Sequence, residues 1–87
     1  MKHRTTARFW TCYAGLPEAI QNLARHNFDL LKSNPAHPSL HFKKVGKLWS
    51  ARVGPHHRAL AVEDEPDLIW VWIGSHDEYE RRIKQQG

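Results

Sequence analysis

Residues 48–62 read LWSARVGPHHRALAV, and their period decides the fold. Trp49, Ala51 and Val53 alternate with Ser50 and Arg52. After the turn signal Gly54-Pro55, the residues Arg58, Leu60 and Val62 alternate with His57, Ala59 and Ala61. A period of two on both sides of a Gly-Pro turn predicts a hairpin whose strands each offer one set of side chains to a core. The pattern continues outward. Upstream, Leu40 and Phe42 alternate with His41 and Lys43, and Gly46-Lys47 turns the chain into the hairpin. Downstream, EDEPD makes a third turn before LIWVWIG, a strand apolar on both faces and so suited to a position covered on each side. On that period Trp70 and Trp72 share a face opposite Ile69, Val71 and Ile73.

Before the meander the period is helical. Pro17 suits a first helical position, Glu18 suits the first turn, and Ile20, Leu23, Ala24, Phe28 and Leu31 form one apolar stripe. Gln21, Arg25, Asp29 and Lys32 fall on its wet side, and Asn34-Pro35 ends it. Phe9, Tyr13 and Leu16 mark a shorter helix, preceded by HRTT as a short edge strand. HDEYERRIKQQ closes the chain as a helix with acids first and bases after, the order that suits the helix dipole. The expected fold is α+β: a short N-terminal strand, two helices, an antiparallel sheet of about four strands in a meander, and a short C-terminal helix. The helices are expected on one face of the sheet.

A length of 87 residues allows one domain, 1–87, with a single small core. The lone cysteine, Cys12, excludes an internal disulfide and fits a reducing compartment. No segment has the roughly 20 apolar residues of a membrane span, so the expected location is the cytoplasm, with no membrane partner. The net charge of +4 is unevenly spread: residues 1–62 carry ten Lys or Arg against Glu18 and Asp29, while 63–80 carry seven acids and no Lys or Arg. Such a basic majority attracts polyanions such as RNA or DNA, and equally it keeps a small protein soluble; composition leaves both open.

The order strand, two helices, meander, together with LPEAIQNLA, NPAHPSLHFKKV, LWSARVGPHHRALAV and IWVWIGSHDEYERRI, resembles the RelE/ParE superfamily of toxins from type II toxin–antitoxin systems. Its most specific parts are the Arg-Val pair, the turn and the second Arg (Arg52 to Arg58), then an apolar strand delivering Gly-x-His with an aromatic shortly after. The resemblance implies a ribosome-dependent messenger-RNA endonuclease, or alternatively a ParE-like poison of DNA gyrase or an inactive homologue that only binds an antitoxin. It implies a cognate antitoxin as partner, with the ribosome and mRNA, or gyrase, as target. On the motif, Arg52 and Arg58 take the places of basic catalytic side chains, His76 a position filled by Arg or His, and Tyr79 that of the C-terminal aromatic. Ser50 stands where the RelE type carries a second lysine.

Independently of the family, RNA cleavage needs a proton acceptor for the 2′-hydroxyl, a proton donor for the leaving oxygen, and fixed positive charge for the phosphorane-like transition state. An imidazole exchanges protons near neutral pH, and guanidinium groups fork onto phosphate oxygens. His76, Arg52 and Arg58 supply those types; Tyr79, three residues after His76, can orient the ring, join in proton transfer or stack on a base. Lys43, Lys44, Lys47 and His57 are the candidate RNA contacts. Plainer roles exist for each. Ser75 and Glu78 have the spacing of a helix capping box, Arg52 and Arg58 can pair with Glu63 or Asp64, and Trp10 and Trp49 can be either partner contacts or core. His56 and His57, even with His41 and His76, do not define a metal site, and no cofactor is expected.

Overall fold

The computed structural model describes residues 2–86. The chain runs β1 (His3–Thr5), α1 (Ala7–Ala14), α2 (Glu18–Ser33), a 3-10 turn (Pro38–Leu40), β2 (Lys43–Val45), β3 (Leu48–Val53), β4 (His57–Asp64), β5 (Asp67–Ser75) and α3 (His76–Gln86). The five strands form one sheet in the order β1-β5-β4-β3-β2. β1 lies parallel to β5 and every other pair is antiparallel. The meander is therefore the body of the sheet, and the N-terminal strand adds a fifth member along the far edge of β5.

Local chemistry sets the element ends. Thr6 caps α1, its Oγ1 accepting from the Phe9 amide at 3.1 Å. At the β3–β4 turn Gly54 adopts φ +68°, and a Cβ there would sit 2.6 Å from Leu23 Cδ2. Both the left-handed backbone and the close approach of α2 require glycine at this turn.

Two cores form, one on each side of the sheet. Beneath α1 and α2, Tyr13, Leu31, Leu40, Ala51, Val53, Trp70 and Ile73 are buried together. On the opposite face, Leu48, Leu60 and Trp72 pack with Tyr79 and Ile83 of α3. The expectation that the helices share one face holds for α1 and α2 and is corrected for α3. The cause is visible in β5: a strand apolar on both faces must be covered twice, and only α3 remains to cover the second side.

Two strand-level expectations also change. Leu40 lies in the 3-10 turn instead of a strand, 1% exposed, and its neighbour His41 takes φ 43°. The alternation of Leu40 and Phe42 thus came from a turn folded onto the core, and β2 begins only at Lys43. In β5, Leu60 pairs with Trp72 but Ala61 with Trp70, so Val71 is an extra residue opposite a single step of β4. Such a bulge reverses the alternation beyond it. Trp70 accordingly packs in the first core and Trp72 in the second. The two tryptophans that period two put on one face are on opposite faces.

Candidate active site

Register brings the two central arginines together. Arg52 pairs with Arg58, and Arg58 pairs in turn with Gly74, so all three lie on one rung of the sheet, on the face that carries Leu60 and α3. Like charges directly opposite on neighbouring strands repel. Neither arginine is neutralised by the acids of the β4–β5 turn: Asp64 pairs with Arg4, and Glu63 with Lys44 at 3.3 Å. Arg52 Nε instead donates to the Gly54 carbonyl at 3.1 Å, which fixes its side chain toward the turn.

Arg58 is held by α3. Its Cζ lies 5.1 Å from the centre of the Tyr79 ring, and Tyr79 is only 4% exposed. Nε and Nη1 of Arg58 are enclosed and, among the described residues, have no hydrogen-bond acceptor. An enclosed cation with two unmatched donors is costly, and cation–π attraction offsets part of that cost. The third member of the rung, Gly74, makes room: a Cβ there would meet Trp72 Cζ2 at 2.4 Å, because the indole lies across it. Arg82 of α3 sits over the other part of this wall, its Cζ 4.8 Å from the Trp72 ring centre.

At the end of β5 the chain enters α3. Ser75 caps the helix, its Oγ accepting from the Glu78 amide at 3.2 Å and donating to Glu78 Oε1 at 3.1 Å. The same cap sets His76 as the first helical residue, and the His76 amide donates to the His56 carbonyl at 2.8 Å. The helix start is thereby tied to the β3–β4 turn that follows Arg52. The His76 ring lies 5.8 Å from that of Tyr79, tilted by 41°, and its Nε2 lies 3.4 Å from Glu80 Oε1. Capping and site are thus two consequences of one junction.

The candidate residues divide by position. Arg52, Arg58, His76 and Tyr79 gather at the end of the sheet where β5 leaves for α3. Lys43 shares the α3 face, opposite Ser50 and two rungs from Arg52. Lys44 is on the opposite face, across from Trp49 and paired with Glu63, and only Lys47, in the β2–β3 turn, lies at the other end. At about 3.3 Å per residue, Lys47 is some 17 Å from Arg52. His57 pairs with Val53 and Ser75, which puts it on the opposite face from Arg58. Its Nδ1 is enclosed without a partner among the described residues, and burial lowers its pKa, as does the neighbouring His56, while Glu78 acts the other way.

Ser50 is fully buried and its Oγ has no partner among the described residues. Trp10 is 50% exposed on α1, while Trp49 is half-buried and stacked on Phe42 at 4.8 Å. Among the described residues no three of His, Cys, Asp and Glu group in a way that would hold a metal ion. Among them, too, no helix is long and apolar enough to cross a membrane. Sequence reasoning missed three contributors: the His56 carbonyl, the missing side chain of Gly74, and Glu80. Only the last left a signal, the i,i+4 spacing from His76 on a predicted helix.

The description ParE-like toxin domain matches residues 18–81, and the chain belongs to that family, within the RelE/ParE superfamily of toxins. Compared by sequence with curated proteins, it matches none. Among solved structures it is similar to the toxin in the RelB-RelE antitoxin-toxin complex of Methanococcus jannaschii, at TM-score 0.70 and 14% identity over 91% of this chain and 96% of that one. It is similar to YafQ from E. coli strain BL21(DE3) at TM-score 0.67 and 14% identity, covering 90% and 96% of the two chains. The isolated E. coli RelE toxin matches at TM-score 0.62 and 8% identity, covering 97% and 96%. At such identities these likenesses concern the fold.

Proposed function

We propose that this chain is the toxin of a type II toxin–antitoxin pair, a single domain over residues 1–87 acting in the cytoplasm, and that it cuts messenger RNA on the ribosome without a metal ion. The observation that carries the reading is Arg58. Two arginines directly opposite each other on one rung, with Arg58 held against Tyr79 and His76 beside the same ring, gather fixed positive charge near a side chain that can exchange protons. In this reading the 2′-oxygen gives its proton to His76 and bonds to phosphorus while the bond to the 5′-oxygen breaks. Arg58 and Arg52 balance the charge that accumulates on the phosphoryl oxygens. The leaving 5′-oxygen takes up a proton from water, His76 returns its own to solvent, and the products are a 2′,3′-cyclic phosphate and a 5′-hydroxyl end. Lys43, on the same face, extends the positive field toward the RNA backbone.

A cognate antitoxin is the expected partner, consistent with the RelB-RelE complex whose toxin shares this fold. Half-exposed Trp10 is the most available aromatic contact for it.

One observation favours a second reading, a ParE-like gyrase poison or a binder without chemistry. The matching family is ParE-like, and Ser50, where the RelE type has a lysine, is sealed in the sheet and offers no charge to a substrate. Induction in bacteria separates the two. The nuclease reading requires mRNA cut in frame with translation and bearing cyclic phosphate ends; DNA breaks with intact mRNA would transfer the assignment to gyrase.

A further inference from the structure

The geometry points to Glu80 as the positioning residue of His76: its carboxylate engages Nε2 and leaves Nδ1 as the ring nitrogen that faces substrate. The inference rests on the nuclease reading above and names how its proton acceptor is aimed.

His76 has a fixed root and a free ring. Its amide is bonded to the His56 carbonyl, so the backbone is anchored to the β3–β4 turn. Its side chain is 44% exposed, which leaves the ring to be oriented by what touches it. Two groups do. Tyr79, buried at 4% exposure and packed against Arg58, forms a wall 5.8 Å from the ring centre. Glu80, one helical turn on, brings Oε1 to 3.4 Å from Nε2. Among the described residues Nδ1 forms no hydrogen bond and is not among the enclosed polar atoms.

An imidazole offers one donor and one acceptor when neutral, and the hydrogen bond at one nitrogen decides what the other can do. The Glu80 carboxylate, at ion-pair distance from Nε2, favours the tautomer that carries the proton there and leaves Nδ1 its lone pair. Nδ1 is then the nitrogen able to accept the 2′-hydroxyl proton. The carboxylate also offsets the charge the ring acquires next to Arg58. Placement on the same helix matters: the His76, Tyr79 and Glu80 positions are set by one helix, so a shift of α3 carries the three together.

The test uses the full chain in two assays. In ribosome-programmed cleavage, Glu80→Ala should lower kcat by about 10-fold or more with KM unchanged, the scale on which partners that orient an imidazole act. Glu80→Gln, which keeps an acceptor oxygen at the same reach, should recover part of the loss. The second assay needs no activity: nitrogen-15 NMR of the His76 ring and ring-to-ring NOEs to Tyr79. Wild type should show Nε2 as the protonated nitrogen and a defined His76–Tyr79 NOE pattern, and Glu80→Ala should weaken that pattern and admit the other tautomer. Ring signals and kcat that are the same in wild type and Glu80→Ala would overturn the assignment. A chain that cuts no RNA would sink the nuclease reading instead, while the ring signals still decide where Glu80 holds the histidine.

Discussion

Replacing Arg58 by Met tests whether the site is costly to the fold. Nε and Nη1 are enclosed without acceptors, and each unmatched donor costs about 1–3 kcal/mol. Attraction to the Tyr79 ring at 5.1 Å returns about 0.5–2 kcal/mol. Repulsion from Arg52, directly opposite on β3, adds to the cost side. Methionine keeps an unbranched stem against Tyr79 while removing every donor and the charge, much as isosteric replacement of buried ionic groups can stabilise other folds. The expected net gain is about 1 kcal/mol, which in a domain of this size raises Tm by roughly 4–8 °C.

Urea denaturation followed by tryptophan fluorescence gives the stability, and ribosome-programmed mRNA cleavage gives the activity. Arg58→Met should be at least as stable as wild type and inactive. A variant whose unfolding free energy drops by more than about 1 kcal/mol, with unchanged m-value, would show that the guanidinium is satisfied in the folded protein and refute the argument. Arg58→Ala is a poorer probe. It also removes the stem beneath Tyr79, so lost packing and lost function arrive together.

Three further outcomes follow from the same geometry. Gly74→Ala would drive a methyl into the Trp72 indole, 2.4 Å away, and should destabilise by about 1–3 kcal/mol in urea titration; wild-type stability would mean that the indole swings aside freely. His57, half-buried beside His56, has a lowered pKa, so the unfolded chain binds more protons than the native one just below pH 6.5; stability should fall as pH drops through that window, and His57→Gln should flatten the slope. A slope identical in both chains would remove His57 as its source. Lys47→Ala, at the far end of β3, should leave kcat unchanged and affect KM only at low salt, and a large loss of kcat would place the RNA differently.

Much of the fold was legible because period and turn chemistry are local. The hairpin from β3 to β4 reads directly from alternation around Gly54-Pro55, and α2 from its stripe. Trp72 was misplaced because a bulge leaves no mark on composition: one extra residue at Val71 reverses every side chain beyond it, and the reversal is fixed only by pairing with β4. Leu40 was misread because a 3-10 turn followed by a left-handed histidine imitates two strand residues. In the site, residue types and order were legible through the motif. That Arg58 is enclosed under Tyr79, that His57 turns to the opposite face and that Lys44 is engaged by Glu63 depend on register and on α3 crossing back over the sheet.

The bulge also bears on why the site lies where it does. By turning Trp72 to the α3 side, Val71 places an indole over Gly74, and α3 then packs Tyr79 and Ile83 against the same core. Without that switch Trp72 would join Trp70 beneath α1 and α2, and the face bearing Arg58 would lose its largest apolar support. A helix following β5 would then have less surface to return to, and Tyr79 would have no reason to lie over the arginine. The packing that closes the second core therefore positions the ring that holds Arg58 and the turn that presents His76.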